Sequence, residues 1–220
     1  MEARSYMSNL ENFNNIYANL AESAYNNRPN NFPPFSKSQV ETPYDFSKDY
    51  VDKKTDKVEV KGGTNLPNKG IVYLQPDRTL KTVEVKTNLQ VPNPNGGYHT
   101  ESYATGSYQK GLLTDEKAGF NAYFVTDTAK LNNDTEQTYL AIRGSDSASI
   151  STLNDWVSND ANFALTDAYI PQAKLANLAL QEKIKELNAK APDAVLNVTG
   201  HSLGTMVSAQ AVAKLYQETA

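Results

Sequence analysis

Residues 198–204 read Val-Thr-Gly-His-Ser-Leu-Gly, and this stretch decides the predicted fold. The apolar run that precedes it predicts a buried strand, and residues 203–216 predict a helix directly after it. Gly200 and Gly204 leave out side chains where such a strand and helix nearly collide. The turn between them therefore lifts Ser202 above the edge of a sheet, which is the geometry of a serine nucleophile.

The same turn supplies part of the chemistry of acyl transfer. It directs a helix N-terminus, and the Leu203 N–H in particular, at the negative charge that forms when Ser202 attacks an ester carbonyl. A second oxyanion donor must come from another loop. Ser145 is the candidate, because it follows a predicted strand at 138–142 that ends at the same edge of the sheet. The plainer alternative is that both stretches are ordinary turns that pack a helix onto a sheet.

The C-terminal half of the chain has an α/β pattern. Strands are predicted at 120–125, 138–142 and 194–198, and a helix at 168–190 separates the last two. A strand, a crossing helix and a second strand indicate a parallel unit, hence an α/β sheet.

The N-terminal half is less regular and is predicted to be rich in short strands. Apolar residues spaced by three and four predict a helix over 5–25, and a loop rich in Pro, Asn and Ser comes after it. Three β-like runs come next, at 57–61, 70–74 and 81–86, and a Pro/Asn/Gly loop at 92–97 separates them from the rest of the chain. We therefore divide the chain into a β-rich insertion or subdomain, 42–110, and a core, 119–217.

Composition excludes several classes of protein. The net charge is −4, with 21 basic and 25 acidic residues and no basic stripe, so a nucleic-acid partner is not predicted. Cysteine is absent and only two histidines are present, which argues against a metal centre and against a cysteine nucleophile. No apolar run is long enough to span a bilayer, and the first residues do not have the pattern of a signal peptide.

Three motifs together resemble a known family. Residues 141–145, Ala-Ile-Arg-Gly-Ser, then Asp155-Trp156, then the 200–204 motif are similar to class 3, or fungal-type, lipases of the α/β-hydrolase fold. The resemblance covers about 119–217, and the helix that ends at Tyr25 fits it more weakly. It implies an α/β-hydrolase-like sheet with a strand, nucleophile elbow and helix, and the β-like runs at 57–86 predict a small β-rich excursion before them.

The resemblance also implies a function. Ser202 is the nucleophile, Ser145 and Leu203 form the oxyanion hole, and Gly200, His201 and Gly204 build the elbow. The implied activity is that of a triacylglycerol lipase or phospholipase A1, which needs no cofactor or metal and contacts a membrane surface transiently. The Asn-rich, Cys-free chain also resembles lipase-domain proteins of low-GC Gram-positive bacteria, some of them exported by specialised systems, which favours an extracellular or secreted protein.

One departure from the family pattern bears on the mechanism. The family places its catalytic Asp and His after the serine, but the residues that come after Gly204 include neither. His201 is expected to be a packed residue of the elbow, and His99 a surface residue in the upstream loop. We therefore expect 1–220 to be the N-terminal portion of one hydrolase domain, incomplete after the elbow helix, with the acid and base beyond Ala220.

Two alternatives stay open from the sequence. The same fold could act on a different substrate class, such as a soluble ester, a thioester or a peptide. It could also be a non-catalytic binding module that has lost its triad.

Overall fold

The computed structural model describes residues 15–25, 32–144 and 171–219. The described helices are α1 (Ile16–Ser23), α2 (Pro171–Lys190) and α3 (Leu203–Thr219). The described strands, in chain order, are β1 (Pro43–Asp45), β2 (Tyr50–Val51), β3 (Val58–Val60), β4 (Ile71–Leu74), β5 (Lys81–Pro92), β6 (Tyr98–Lys110), β7 (Thr114–Asp115), β8 (Phe120–Thr126), β9 (Gln137–Ile142) and β10 (Val195–Gly200).

Eight of these strands form one mixed sheet. β8 lies near its centre, beside β9 on one side and beside β4 and β7 on the other, and all three pairings are antiparallel. β10 runs parallel to β9, with Val195 opposite Gln137 and Gly200 opposite Ile142. α2 connects these two strands, so the strand–helix–strand unit that the sequence predicts is present. The carboxyl ends of β9 and β10 consequently meet at one edge of the sheet.

Both faces of the sheet are covered. Side chains along β8 and β9 point alternately to one face and to the other. On one face, side chains of β1, β4, β8 and β9 pack against α1 and the 32–35 segment. The opposite face packs against α2 and α3. Tyr123 and Ala141 belong to the first core, whereas Phe124, Leu140 and Ile142 belong to the second. β8 and β9 therefore have a buried core on each face.

The helices agree with the predicted positions over the residues that the structure describes. α1 begins after Asn15, whose side chain accepts a 2.9 Å hydrogen bond from the Tyr17 N–H, as an N-cap does. The predicted residues 5–14 of that helix, like 168–170 of the crossing helix, lie outside the described residues. Of the described helices, none combines the length and the apolar character needed to cross a membrane.

The largest difference from the sequence-based expectation is a long hairpin. The sequence predicts a strand only over 81–86, with a separating loop at 92–97, but β5 and β6 pair along their whole length around that loop. Gly96 and Gly97, with φ of 87° and 81°, make the turn. The sequence does not predict β6 because its side chains are mostly Thr, Ser and Tyr, so it lacks the apolar alternation of a half-buried strand.

A lysine side chain reaches the edge of the first core. The Lys37 Nζ lies 4.3 Å from the centroid of the Tyr123 ring and donates a hydrogen bond to the carbonyl oxygen of Ala122. Burial lowers the pKa of Lys37 to about 7, against a weaker opposing effect of the Asp77 carboxylate. The folded protein therefore holds this amine largely neutral above pH 7.

This pKa predicts a specific dependence of stability on pH. Between pH 7 and about 10 the unfolded chain still binds the Lys37 proton and the folded chain does not, so stability should rise with pH in this window. Lys37→Met should remove that rise, whereas the exposed Lys53→Met should keep it. Urea midpoints measured from pH 6 to pH 10 test the difference. Parallel pH profiles for the parent chain and Lys37→Met would contradict the assignment.

Candidate active site

The residues between β10 and α3 form a tight turn that presents Ser202. β10 ends at Gly200, α3 begins at Leu203, and Ser202 has a φ of +55°. This value lies in the left-handed region, which L-residues other than glycine rarely adopt. The Gly204 N–H donates to the carbonyl of His201 at 3.0 Å, and the Thr205 N–H donates to the carbonyl of Ser202 at 3.0 Å. The Ser202 side chain is exposed.

Two glycines allow the helix to approach the strands this closely. A Cβ on Gly200 would lie 2.5 Å from the carbonyl carbon and oxygen of Gly204. A Cβ on Gly204 would overlap the carbonyl oxygen of Ile142 and lie 3.1 Å from the Gly144 nitrogen. Because backbone atoms form these contacts, no side-chain rotation could relieve them. The glycine spacing in the sequence thus corresponds to direct backbone packing.

The end of β9 lies beside this turn. A Cβ on Gly144 would come within 3.3 Å of the Ser202 Cβ and would overlap the Tyr25 hydroxyl. The structure therefore brings Gly144 next to the candidate nucleophile. Ser145, the candidate second oxyanion donor, is the next residue and lies outside the described residues, as do Asp155 and Trp156. Leu203, the other candidate donor, is the first residue of α3, where helix N–H groups have no partner within the helix.

Sequence reasoning missed the residues at and just after the end of α1 that hold the turn. The Tyr25 hydroxyl donates to the carbonyl of His201 at 3.2 Å and lies 3.3 Å from its Nδ1. The Nε2 of His201 faces the Glu22 carboxylate at 3.8 Å. The rings of Tyr25 and His201 meet edge to face, with centroids 5.7 Å apart. The only signal in the sequence is the weak family-like ending of this helix.

The two histidines lie in different parts of the structure. Each ring nitrogen of His201 faces a side chain of α1 or of the residues directly after it, so its imidazole lies beside the end of α1, with its side chain 43% exposed. His99 lies on β6 beside the hairpin turn, where its Nε2 is 2.7 Å from Glu101 Oε1 and its side chain is 44% exposed. The structure does not bring His99 to Ser202.

Two further interactions tie α1 to β10. The Tyr17 hydroxyl donates to Asn197 Oδ1 at 2.9 Å, and the Thr199 hydroxyl donates to the Tyr17 carbonyl at 3.0 Å. α1 is therefore attached along β10 as well as at the turn. Among the described residues, no group of three or more acidic or histidine side chains is arranged to hold a metal ion.

Comparisons with known proteins found no match. No protein-family model fits the chain, and no curated protein and no solved structure shows significant similarity to it. The functional argument therefore depends on the geometry of the site.

Proposed function

We propose that this chain carries the nucleophile elbow of a serine ester hydrolase of the α/β-hydrolase type. The observation that carries the proposal is the left-handed backbone of Ser202 between a parallel strand and a helix. An L-residue in this conformation costs roughly 1–2 kcal/mol, which a plain connecting turn could avoid with glycine. Retained strain at an exposed hydroxyl beside a helix N-terminus is characteristic of a functional residue.

The proposed reaction is acyl transfer through an acyl-enzyme. The Ser202 Oγ forms a bond to the ester carbonyl carbon while a general base takes its proton, and the carbonyl oxygen becomes an oxyanion. The Leu203 N–H and Ser145 donate to this oxyanion. Collapse then expels the alcohol, which receives the proton, and water hydrolyses the acyl-serine to release the carboxylic acid. No cofactor or metal takes part in the proposed mechanism.

Neither imidazole of the chain is assigned as the general base. His201 is held between Tyr25 and Glu22, and His99 is hydrogen-bonded to Glu101 near the tip of the hairpin. In the lipase order of Ser, Asp and His, the acid and the base come after the nucleophile in the chain.

The proposed substrates are lipid acyl esters, as in a triacylglycerol lipase or a phospholipase A1. This choice of substrate rests on the resemblance of the 141–145 and 200–204 motifs to class 3 lipases. An enzyme of this type would contact a membrane surface transiently while it takes up substrate.

A labelling and substrate experiment tests the proposal. The protein expressed from its full reading frame is treated with a fluorophosphonate, and mass spectrometry is expected to find the adduct on Ser202. Hydrolysis is then measured on a triglyceride, a phosphatidylcholine, a short-chain ester and a peptide, with the two lipids expected to be preferred. If Ser202 is labelled but only the short ester or the peptide is hydrolysed, the protein is a hydrolase and its substrates are not lipids. No labelling and no turnover would favour a binding module.

The contact between Tyr25 and His201 predicts a moderate effect on activity. Tyr25→Phe keeps the ring but removes the hydroxyl that donates to the His201 carbonyl, so the turn should be held less firmly. A single hydrogen bond is worth about 1 kcal/mol, which corresponds to a loss of roughly fivefold in kcat/KM. Kinetic measurement on the preferred ester tests this expectation.

Tyr17→Phe is the matched control. Tyr17 lies on α1 and, like Tyr25, donates its hydroxyl to a distant segment, but its partner, Asn197 of β10, lies away from the turn. Both variants should lose a similar amount of stability, whereas only Tyr25→Phe should lose activity. Equal losses of activity would assign Tyr25 a purely structural role.

A further inference from the structure

The hairpin of β5 and β6 projects from the sheet and leaves a long strand edge open. Only Lys110 of β6 pairs with β7, so beyond that residue the hairpin is a two-stranded ribbon. β5 is the last strand of the sheet, and within the described ranges no strand pairs with its outer edge. A two-stranded ribbon is marginally stable in water, and an open edge offers unpaired N–H and C=O groups to another strand.

One face of this ribbon carries most of its apolar side chains although it is exposed. Val83, Val85 and Leu89 share that face of β5 with Thr87. On β6, Tyr108 lies opposite Val83 and Tyr103 lies opposite Thr87, whereas Glu101 lies opposite Leu89. Val85, Leu89 and Tyr103 expose 43%, 52% and 43% of their surfaces. Alternation of this kind is typical of a sheet that has more strands than two and one covered face.

The outer edge of β5 is regular enough to accept another strand. The irregularity in the hairpin places the extra residue, Thr105, on β6, because Val85 pairs with Gly106 and Lys86 pairs with Ala104. The hydrogen bond from the Thr105 hydroxyl to the carbonyl of Val85, 3.2 Å long, also lies on the β6 side. β5 therefore continues without a bulge along its open edge.

The charges on β5 determine which strand fits that edge. A lysine in an edge strand normally discourages pairing. Here Lys86 lies on the polar face two residues after Glu84, and the two side chains form an exposed ion pair of 3.5 Å. A strand with the opposite order of charges would pair with both residues at once, and β5 itself has that order when it runs antiparallel.

We propose that β5 pairs with β5 of a second copy of this chain, antiparallel about a two-fold axis at Val85. In this register Glu84 lies opposite Lys86 of the second copy, and Lys86 lies opposite its Glu84. Opposite charges directly across an antiparallel pair stabilise it, and the two-fold axis makes the contact twice. The two ribbons become one four-stranded sheet, with Val83 and Val85 of both copies on the same face. This dimer is independent of the proposed hydrolase activity.

Neighbouring registers lack this complementarity. An axis at Glu84 would bring two glutamates together, and an axis at Lys86 would bring two lysines together. An axis at Thr87 would place Glu84 and Lys86 opposite uncharged Gln90 and Asn88. Only the Val85 axis places Glu84 opposite Lys86 in both copies.

Charge reversal tests the proposed partner. Sedimentation velocity over a concentration series should show a monomer–dimer equilibrium for the parent chain. Glu84→Lys or Lys86→Glu alone would place like charges across the axis and should raise the dimer Kd on the order of tenfold. The double variant restores opposite charges and should return the Kd to near the parent value. A monomer at every concentration, or single variants that dimerise like the parent, would overturn the proposal.

Introduced thiols test the register, since the chain has no cysteine. Val85→Cys should form a disulfide-linked dimer on mild oxidation, because the two residues at the axis lie opposite each other. Thr87→Cys, on the same exposed face, should not form one. Cross-linking of Thr87→Cys but not Val85→Cys would overturn this register. A chain that stays monomeric at every concentration, whether or not it floats with phosphatidylcholine–phosphatidylglycerol vesicles, would overturn the dimer.

Discussion

Replacement of Ser202 by alanine should lower the turnover of ester hydrolysis on the order of a million-fold, because no other group can form the acyl-enzyme. The fold should persist, since the Ser202 side chain is exposed and belongs to neither buried core. Turnover on phosphatidylcholine and on a short ester, together with thermal unfolding, measures both effects. Residual hydrolysis above the uncatalysed rate would come from the oxyanion donors alone.

A second substitution at the same position separates chemistry from strain. Ser202→Gly should be equally inactive but more stable than the parent by about 1 kcal/mol, because glycine adopts the left-handed conformation without the steric cost of a side chain. Unchanged or lower stability in this variant would show that the turn is not strained.

Ser208→Ala is the control for the loss of a serine near the turn. Ser208 lies one turn along α3, is buried, and donates its hydroxyl to the Gly204 carbonyl at 2.6 Å. It should keep activity close to that of the parent. Retained activity in Ser202→Ala would remove Ser202 from the mechanism.

Gly204→Ala is expected to have the largest effect on stability. Its Cβ would overlap the Ile142 carbonyl oxygen and lie 3.1 Å from the Gly144 nitrogen, so the start of α3 would have to move away from β9. Overpacking of this kind costs about 3 kcal/mol, which lowers the melting temperature of a chain of this size by roughly 10 °C. Activity should fall as well, because Leu203 and Ser202 move with the helix.

Gly106→Ala is the matched control for this glycine substitution. Gly106 lies on β6, and a Cβ there would meet no atom within 4 Å. Its stability should equal or slightly exceed that of the parent, because alanine reduces the conformational entropy of the unfolded chain. Equal melting temperatures for Gly204→Ala and the parent would contradict the close packing of helix and strand.

The elements of the C-terminal half could be predicted from sequence because their signals are local. The runs that form β8 and β9 are buried from both faces of the sheet, so most of their positions are apolar. The spacing of Gly200 and Gly204 around Ser202 has one simple explanation, a close strand-to-helix turn. The candidate nucleophile therefore follows from a few adjacent residues.

The hairpin depended on information that is not local. β6 has few aliphatic residues, and its strand conformation depends on pairing with β5 rather than on burial. The Pro/Asn/Gly stretch between them is equally typical of a loop between domains and of a hairpin turn. Only the pairing in three dimensions distinguishes these two interpretations.

The sequence alone determined that a serine would stand between a strand and a helix, because steric limits at that turn act over neighbouring residues. The prediction that this strand is buried was wrong, since no residue of β10 is buried and Val195 is 51% exposed. Only the tertiary structure decided which residues surround that serine. Tyr25 and His201 are 176 positions apart in the chain and meet because α1 packs along β10. Gly144 reaches Ser202 because β9 and β10 are parallel and end together. Contacts of this kind follow from how the sheet and helices pack, and no local pattern of residues encodes them.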